Sequence, residues 1–294
     1  MPSAKPTPEN AAVPSPEPST ENPAVPSPDH TPPRLCLVFD IDDTLYLERD
    51  YVRSGFEAAG LYAKYEYGIG GLSTACWSLF QAGVRGDTFD RALAVLGVTP
   101  PPGLVSELIA IYRAHRPDIE LRDDAAACLA RWRERAFLGI VTDGSAISQR
   151  AKIEALKLDA LVDLIVVTAE LGRAYAKPAP GAFALFETAS GLRGSACVYV
   201  ADNPAKDFAG PHRLGWRTVR VRRHESLHAD VPSGRDVDVE IASLAGLDEA
   251  LGEAGGGEQE AGGNIAKRLK DRLGREWEER RPGRGKDEQQ GKPE

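Results

Sequence analysis

Cysteine is scarce in this chain: four occur among 294 residues, and no two of them form a C-x-x-C pair. Zinc sites and disulfide frameworks are usually built from several cysteines at short, regular spacings. We therefore expect buried thiols in a reducing compartment. They are Cys36, Cys76, Cys128 and Cys197.

Long hydrophobic runs are also lacking. No apolar stretch approaches the roughly 18 residues that a membrane-spanning helix requires, and the first residues lack the basic and apolar regions of a signal peptide. Basic residues are not in excess, since the net charge is −8, and no basic stripe indicates nucleic acid as a main partner. We expect a cytoplasmic protein without a membrane span.

The two ends of the chain differ in composition from the middle. Half of the 22 Pro lie in residues 1–33, which hold almost no large apolar side chains and should be disordered. Residues 251–294 combine Gly runs with balanced charges and should form a flexible tail. In that tail, apolar residues at every fourth position predict a short helix over 264–281, interrupted by Gly274. The tails could recruit a protein partner, but no motif in them supports one.

Between the tails, short apolar runs alternate with helical patterns. The runs are mostly rich in branched side chains, as expected of strands that are covered on both faces. Strands alternating with helices predict βαβ units, and hence an α/β fold with a Rossmann-like, three-layer parallel sheet. The predicted strands are 35–39, 137–141, 164–167, 196–200 and 218–221, with helices near 124–135, 145–157, 180–189 and 205–213.

One connection is much longer than the others. Residues 46–119 contain no convincing strand, and their apolar spacing predicts helices near 50–66, 73–81, 87–96 and 103–113. We interpret this segment as an inserted α-helical subdomain, with 34–45 and 120–250 forming the core. Ligands of open α/β sheets bind beyond the carboxyl ends of the strands. A subdomain inserted at that edge is therefore a candidate cap.

Side chains capable of chemistry follow four of the predicted strands. The carboxyl ends of parallel strands meet at one edge of a sheet, so these side chains should lie together. The residues are Asp40, Asp42 and Thr44 after the first strand, Thr142 and Asp143, with Gly144 beside them, after the second, Lys177 after the third, and Asp202, Asn203 and Asp207 after the fourth. A single acid after a strand is usually a solvated loop charge, whereas the whole set indicates a site.

The acidic members of this set favour a metal ion. Carboxylates gathered at one point repel one another unless a cation is bound, and hard oxygen ligands suit Mg²⁺. A carboxylate beside Mg²⁺ can attack phosphorus, which makes Asp40 the candidate nucleophile. Asp42 could protonate the leaving oxygen and then activate water, while Thr142 and Lys177 could bind the phosphoryl oxygens. These groups together predict phosphoryl transfer.

The same motifs resemble the four ordered motifs of the haloacid dehalogenase-like (HAD) hydrolase superfamily. They are D-x-D-x-T beginning at Asp40, the Thr at 142, the Lys-Pro at 177–178, and D-N-P-x-x-D beginning at Asp202. The resemblance spans residues 35–222. The long helical insertion is similar to the C1 cap of the phosphatase-like members of subfamily I.

The resemblance implies roles for the acidic motif residues. Asp40 would be the nucleophile and a Mg²⁺ ligand, and Asp202 would be a further metal ligand. Asp42 would be the acid/base, and its backbone carbonyl would also bind the metal. Thr44 would brace the nucleophile loop. Asp207 would either reach the metal through water or orient the motif lysine.

The resemblance also implies a phosphate-binding set. Thr142 and Lys177 would bind the phosphoryl oxygens, with Asp143 and Gly144 beside them and Asn203 in a supporting role. Asp143 stands where Asn is common in the family. That departure removes no reacting group, but it adds a negative charge near the phosphate site.

The function predicted from these features is Mg²⁺-dependent hydrolysis of a small phosphorylated metabolite through an aspartyl phosphate. True 2-haloacid dehalogenases lack an acid at the position of Asp42 and need no metal, so dehalogenation is not expected. Two alternatives stay open: a phosphosugar mutase of the same superfamily, and a catalytically idle binding module.

Residues of the insertion could contact the substrate through cationic and aromatic groups, which suit an anionic or sugar-like metabolite. The candidates are Tyr51, Arg53, Tyr62, Lys64, Trp77 and Arg85. His224 and His228 are four residues apart, but they follow the last predicted strand in a loop-like region. We do not expect them to form a metal site.

Overall fold

The structure is a computed structural model, and it describes residues 34–252. The predictions of a disordered segment 1–33, and of a helix at 264–281, lie outside the described residues, as do all but the first two residues of the predicted flexible tail 251–294. Within residues 34–252, none of the helices combines the length and the apolar character needed to cross a membrane. The four cysteine thiols are free and buried, as predicted.

The core is a six-stranded sheet in which every pair of neighbouring strands is parallel. Its strands are β1 (Cys36–Phe39), β2 (Phe137–Thr142), β3 (Leu164–Val167), β4 (Cys197–Ala201), β5 (Arg217–Val221) and β6 (Val239–Ile241). The order across the sheet is β3-β2-β1-β4-β5-β6. β1 is central and all four of its residues are buried, because helices cover both faces of the sheet.

Helices on the two faces complete the predicted three-layer α/β fold. The first face carries α5 (Asp123–Trp132), α6 (Ala146–Ala155) and α10 (Leu247–Leu251), which pack with Leu37 and Phe39 of β1. The opposite face carries α8 (Gly181–Ser190), packed with Cys36 and Val38. Two shorter helices, α7 (Thr168–Leu171) and α9 (Ala209–Arg213), follow β3 and β4. The alternation of side chains along β1 thus supplies both cores.

β6 was not predicted from the sequence. It is only three residues long, pairs with β5 alone within residues 34–252, and its residues are half-buried or more exposed. The other edge strand, β3, is recognisable because it carries four consecutive branched apolar residues, whereas β6 has a glutamate between its two apolar residues. The hydrophobic pattern of this segment is therefore too weak to predict it.

Four helices lie between β1 and α5, as the helical pattern predicted. They are α1 (Glu48–Tyr67), α2 (Leu72–Gln81), α3 (Thr88–Val95) and α4 (Leu104–Ala114). The insertion has its own hydrophobic core, centred on Phe56, Phe80 and Leu108. Its base is joined to the sheet, because Tyr51 of α1 packs in the core of the first face and α4 packs against α6. The insertion therefore rises from the carboxyl end of β1.

Candidate active site

The carboxyl edge of the sheet brings most of the predicted site residues together. Asp40 follows β1, and its backbone N–H donates to the carbonyl of Val200 in β4 at 2.9 Å. Asp202 follows β4, which is parallel to β1, so the two aspartates lie at the carboxyl ends of neighbouring strands. Asp40, Asp202 and Asp207 are buried, and each offers an oxygen within 4.8 Å of the others.

The electrostatics of this acid cluster, defined as Asp40, Asp202 and Asp207, suit a cation. Burial raises the pKa of Asp40 to about 6 against the opposing charge of Lys177. Burial, followed by repulsion from Asp40 and Asp207, raises the pKa of Asp202 to about 9. Oδ2 of Asp202 is buried and finds no hydrogen-bond partner among the described residues. A divalent cation bound by oxygen ligands would satisfy that atom and relieve the repulsion.

Lys177 lies against the same cluster. Its Nζ is 2.8 Å from Oδ1 of Asp40 and 2.7 Å from Oδ1 of Asp207, and it also donates to the hydroxyl of Tyr199 at 3.1 Å. Burial alone would lower the pKa of Lys177, but the charges of Asp207 and Asp40 raise it well above its usual value. The ammonium is thus held charged beside the candidate nucleophile. Asp207 contacts the ammonium of Lys177 directly, so it is close enough to orient that side chain.

Asp42 lies apart from the acid cluster. Its carboxylate accepts hydrogen bonds from Nζ of Lys152 at 2.7 and 2.9 Å, from the hydroxyl of Tyr46, and from Nε2 of Gln149 at 3.4 Å. Burial acts to raise the pKa of Asp42, but the charge of Lys152 and the hydrogen bonds from Lys152 and Tyr46 outweigh it and hold the pKa below its usual value. Any contribution of Asp42 to a metal site would come from its backbone carbonyl, as the family resemblance implies.

Thr142 and Gly144 are placed at the start of the loop between β2 and α6. The Thr142 hydroxyl is fully buried and donates to Oε1 of Gln149 at 2.9 Å. Gly144 has a φ of 134°, and a Cβ there would lie 2.6 Å from Nε2 of the same glutamine. This loop therefore requires glycine, and Gln149 links Thr142 to Asp42.

Asp143 turns towards protein groups. Its carboxylate accepts from the backbone N–H of Lys177 at 3.0 Å and from the hydroxyl of Thr168. The Asp143 carboxylate thus stabilises the loop that carries Lys177. A direct contact between Asp143 and phosphate stays a prediction.

Contacts across the site also fix the loop after β1. Asp43 has a φ of 53°, and its carboxylate accepts from the backbone N–H of Leu227 at 2.7 Å and of Glu48 at 2.9 Å. The carbonyl of Thr44 accepts from Arg223 at 3.0 Å. The backbone of Thr44 is therefore tied to Arg223, and its role in bracing the loop of Asp40 stays a prediction. The contacts of Asp43 and Arg223 were not predicted.

Asn203 contacts His228, and the two histidines do not form a metal-binding pair. Oδ1 of Asn203 accepts from the backbone N–H of Ala205, so its amide nitrogen donates to Nε2 of His228 at 2.9 Å. The backbone N–H of Asn203 donates to Asp207. The side chain of His224 is 90% exposed, so the two histidines do not share a site.

Of the six substrate-contact candidates in the insertion, Tyr51 contacts Lys152, the lysine that binds Asp42. Its ring lies 4.2 Å from Nζ of Lys152. Arg53 lies 5.6 Å from the ring of Trp77, and Arg85 lies 3.8 Å from the ring of Phe80. Tyr62 donates to Glu107, and Lys64 lies beside Tyr65. These contacts within the insertion leave the choice of substrate-binding residues as a prediction.

Sequence reasoning missed Gln149 and Lys152, although a signal was present. Both are buried on α6, whose buried positions also include Ser148 and Ile153. Polar and charged residues at buried helical positions need partners. A helix that directly follows Thr142 and carries Gln and Lys three residues apart could have indicated a contact with another motif.

A family model described as a haloacid dehalogenase-like hydrolase matches residues 35–215. The chain is 30% identical over 224 residues to glyceraldehyde 3-phosphate phosphatase of Methanopyrus kandleri, with 69% of this chain and 89% of that protein covered. It is 31% identical over 216 residues to ribulose-1,5-bisphosphate 5-phosphatase of Halopiger xanaduensis, with 68% of this chain and 89% of that protein covered.

Solved structures share the fold. The HAD hydrolase YfnB of Bacillus subtilis, in a magnesium-bound form, has a TM-score of 0.54 at 20% identity, with 74% of this chain and 98% of that chain covered. A subfamily IA HAD hydrolase of Geobacter sulfurreducens has a TM-score of 0.54 at 15% identity, with coverages of 75% and 98%. The family predicted from the ordered motifs is confirmed by the family model and the sequence relatives: this chain belongs to the haloacid dehalogenase-like hydrolases and is an enzyme of that family.

Proposed function

We propose that this enzyme is a Mg²⁺-dependent phosphatase that hydrolyses a small phosphorylated metabolite through an aspartyl phosphate on Asp40. The observation that carries the proposal is the buried cluster of Asp40, Asp202 and Asp207 with the Lys177 ammonium against two of its members. Such a site combines a carboxylate nucleophile, oxygen ligands for a metal and a fixed positive charge for the phosphoryl oxygens.

The carboxylates of Asp40 and Asp202, with the backbone carbonyl of Asp42, would hold the metal. Mg²⁺ supplies positive charge that lets an anionic carboxylate approach an anionic phosphoryl group. Asp207 pairs with Lys177 and accepts from the backbone of Asn203. It would support the metal site from that position.

Two displacements at phosphorus complete the reaction. An oxygen of Asp40 forms a bond to phosphorus as the ester P–O bond breaks. Because Lys152 holds the pKa of Asp42 below its usual value, Asp42 would first receive the proton of the bound phosphate monoester and then pass it to the leaving oxygen. A water oxygen then attacks the phosphorus of the aspartyl phosphate while Asp42 takes the water proton. The bond between phosphorus and Asp40 breaks, its electron pair returns to Asp40, and inorganic phosphate leaves.

The names of the relatives, together with the site, support a substrate class. The two relatives are named for glyceraldehyde 3-phosphate and ribulose 1,5-bisphosphate, both small phosphorylated sugars. Lys177 and Thr142 can bind a phosphoryl group of any such compound, while the remainder of the substrate would face the insertion. We therefore place this chain among phosphatases of small sugar phosphates.

An Asp40→Asn variant tests the proposal. Phosphate release from a panel of sugar phosphates and nucleoside monophosphates should require Mg²⁺, stop in EDTA, and fall by roughly 10⁴-fold or more in the variant, because the nucleophile is lost. Asp159→Asn, on an exposed turn after α6, is the matched control and should keep wild-type activity.

Three results would contradict the proposal. Full Mg²⁺-dependent activity in Asp40→Asn would show that the aspartyl phosphate is not formed there. Transfer of phosphate to another position of the substrate, with no free phosphate, would identify a mutase. Absence of turnover on the whole panel by the wild type would favour a binding module.

A further inference from the structure

The face of α6 that points at the site carries two side chains that the reaction scheme leaves without a role. Gln149 and Lys152 are three residues apart, so they lie on the same face of the helix. Gln149 connects the Thr142 hydroxyl to Asp42, and Lys152 donates to both carboxylate oxygens of Asp42. One helix therefore contacts Asp42 through two neighbouring donors.

Lys152 is a charged side chain buried inside the protein. Its side chain is 4% exposed, although lysine is rarely buried unless its charge is paired. The pair with Asp42, at 2.7 and 2.9 Å, supplies that partner. Taking one member away would leave the other charge buried and unpaired, which is costly. The two side chains therefore depend on each other for their positions.

The same ammonium joins the acid/base to the insertion. Nζ of Lys152 lies 4.2 Å from the ring centre of Tyr51 on α1, a distance suited to a cation–π contact. Tyr46 also donates its hydroxyl to Oδ1 of Asp42, the oxygen that accepts one of the two Lys152 hydrogen bonds. Asp42 is thus bound by a lysine from α6 and by a tyrosine from the loop that precedes α1.

We propose that Lys152 is a positioning residue for the acid/base Asp42, and that its main effect is on hydrolysis of the phosphoenzyme. Donation to both oxygens restricts rotation of the carboxylate, which would then keep one orientation for the attack of water. Lys152 acts through Asp42 rather than on the substrate. The inference rests on the proposed function, because it assigns Lys152 to the second displacement of that reaction.

The test uses p-nitrophenyl phosphate, whose leaving group departs without protonation. In Lys152→Met, formation of the phosphoenzyme should proceed nearly as in the wild type, so kcat/KM should change by less than about 3-fold. Hydrolysis should slow by about 10- to 100-fold, a part of the effect of a general base. Both kcat and KM should therefore fall together, and a burst of one equivalent of nitrophenolate should appear.

Three further variants make the test specific. Lys157→Met, at an exposed lysine just after α6, is the matched control and should show no burst. Lys152→Arg keeps a charged donor and should recover part of the lost kcat. In an Asp42→Asn background, Lys152→Met should cause no further loss, because the two residues act as one unit.

The inference is overturned if Lys152→Met lowers kcat and kcat/KM by the same factor without a burst, which is the result for a purely structural role. Unchanged kinetics in that variant would overturn it as well. If Lys152→Met does not fold, Lys152→Gln is measured in its place. An unchanged kcat in Lys152→Gln would also overturn the inference. A wild type that forms no phosphoenzyme would instead refute the proposed function and leave no reaction for Lys152 to serve.

Discussion

Asp40 and Asp42 are two residues apart in the chain, yet they occupy environments with opposite effects on their charge. Burial raises the pKa of Asp40 to about 6 even though Lys177 opposes the shift. For Asp42, burial is outweighed by Lys152, and the pKa falls below its usual value. The first carboxylate shares a crowded cluster that suits a cation, whereas the second has its own cation from the protein. Their different proposed roles follow from these different neighbours.

Glycine at position 139 is required by packing rather than by backbone conformation. An added Cβ would lie 2.3 Å from the ring of Phe186, which is fully buried on α8. Gly139→Ala should therefore destabilise the fold by about 1–3 kcal/mol through overpacking. Urea unfolding measures the difference, with Gly234→Ala as control because a Cβ there would meet nothing within 4 Å. Equal stabilities of the two variants would contradict the close contact.

At the scale of elements, the insertion is attached to the core through α1 and α4. The rings of Tyr51 and Tyr112 are 5.6 Å apart at this junction. His115, directly after α4, joins them: Nδ1 donates to the carbonyl of Tyr112 at 2.7 Å, and Nε2 lies 2.8 Å from Oγ of Ser54. Because the carbonyl can only accept, the neutral ring has its proton on Nδ1. The Ser54 hydroxyl has two acceptors within reach, Nε2 of His115 and the carbonyl of Tyr51 at 3.1 Å.

This junction should be sensitive to acid. Burial lowers the pKa of His115 below its usual value of 6.5, and the charge of Lys152 adds to the shift. As the pH falls below 6.5, the unfolded chain takes up this proton before the folded one does. The contribution of His115 to stability is therefore complete above that pH and is lost as the pH falls through the folded-state pKa.

The prediction is measured as the difference in Tm between pH 7.5 and pH 5.0. His115→Gln should show a smaller difference than the wild type, because its side chain is neutral at both pH values. His224→Gln, at an exposed side chain, should behave as the wild type does. A wild-type pH response in His115→Gln would exclude this histidine as a source of the acid sensitivity.

The elements differ in how well the sequence predicted them. The four helices of the insertion and the strands β1 to β5 were predicted within a few residues, because long amphipathic periodicity and continuous apolar runs are local signals. β6 was missed because it is short and lies at the edge. The buried face of α6 was also missed, since Gln149 and Lys152 interrupt its apolar pattern.

At the scale of the whole molecule, the insertion and the sheet have separate hydrophobic cores. We propose that the insertion is a cap that selects substrates. Tyr51 and Tyr112 lie close together at its base, so residues 53–111 can be replaced by a short Gly/Ser linker that keeps both tyrosines. The shortened enzyme should still hydrolyse p-nitrophenyl phosphate but should lose its discrimination among sugar phosphates.

The measurement is the set of kcat/KM values over the sugar phosphate panel, each divided by the value for p-nitrophenyl phosphate. In the shortened enzyme these ratios should approach one another. Circular dichroism and thermal unfolding establish that the remaining sheet is folded. An unchanged order of preference in a folded variant would contradict the role of the insertion as a cap.

The sequence by itself determined the alternation of strands and helices, the place of the insertion and the acids that follow β1 and β4. These features depend on local periodicity and on the common direction of parallel strands. Only the tertiary structure decided which charges meet. Lys177 contacts Asp40 across 137 residues, and Lys152 contacts Asp42 across 110. The burial of a charged side chain is compensated by whatever partner the fold brings near it, and that partner depends on how the layers pack rather than on spacing along the chain.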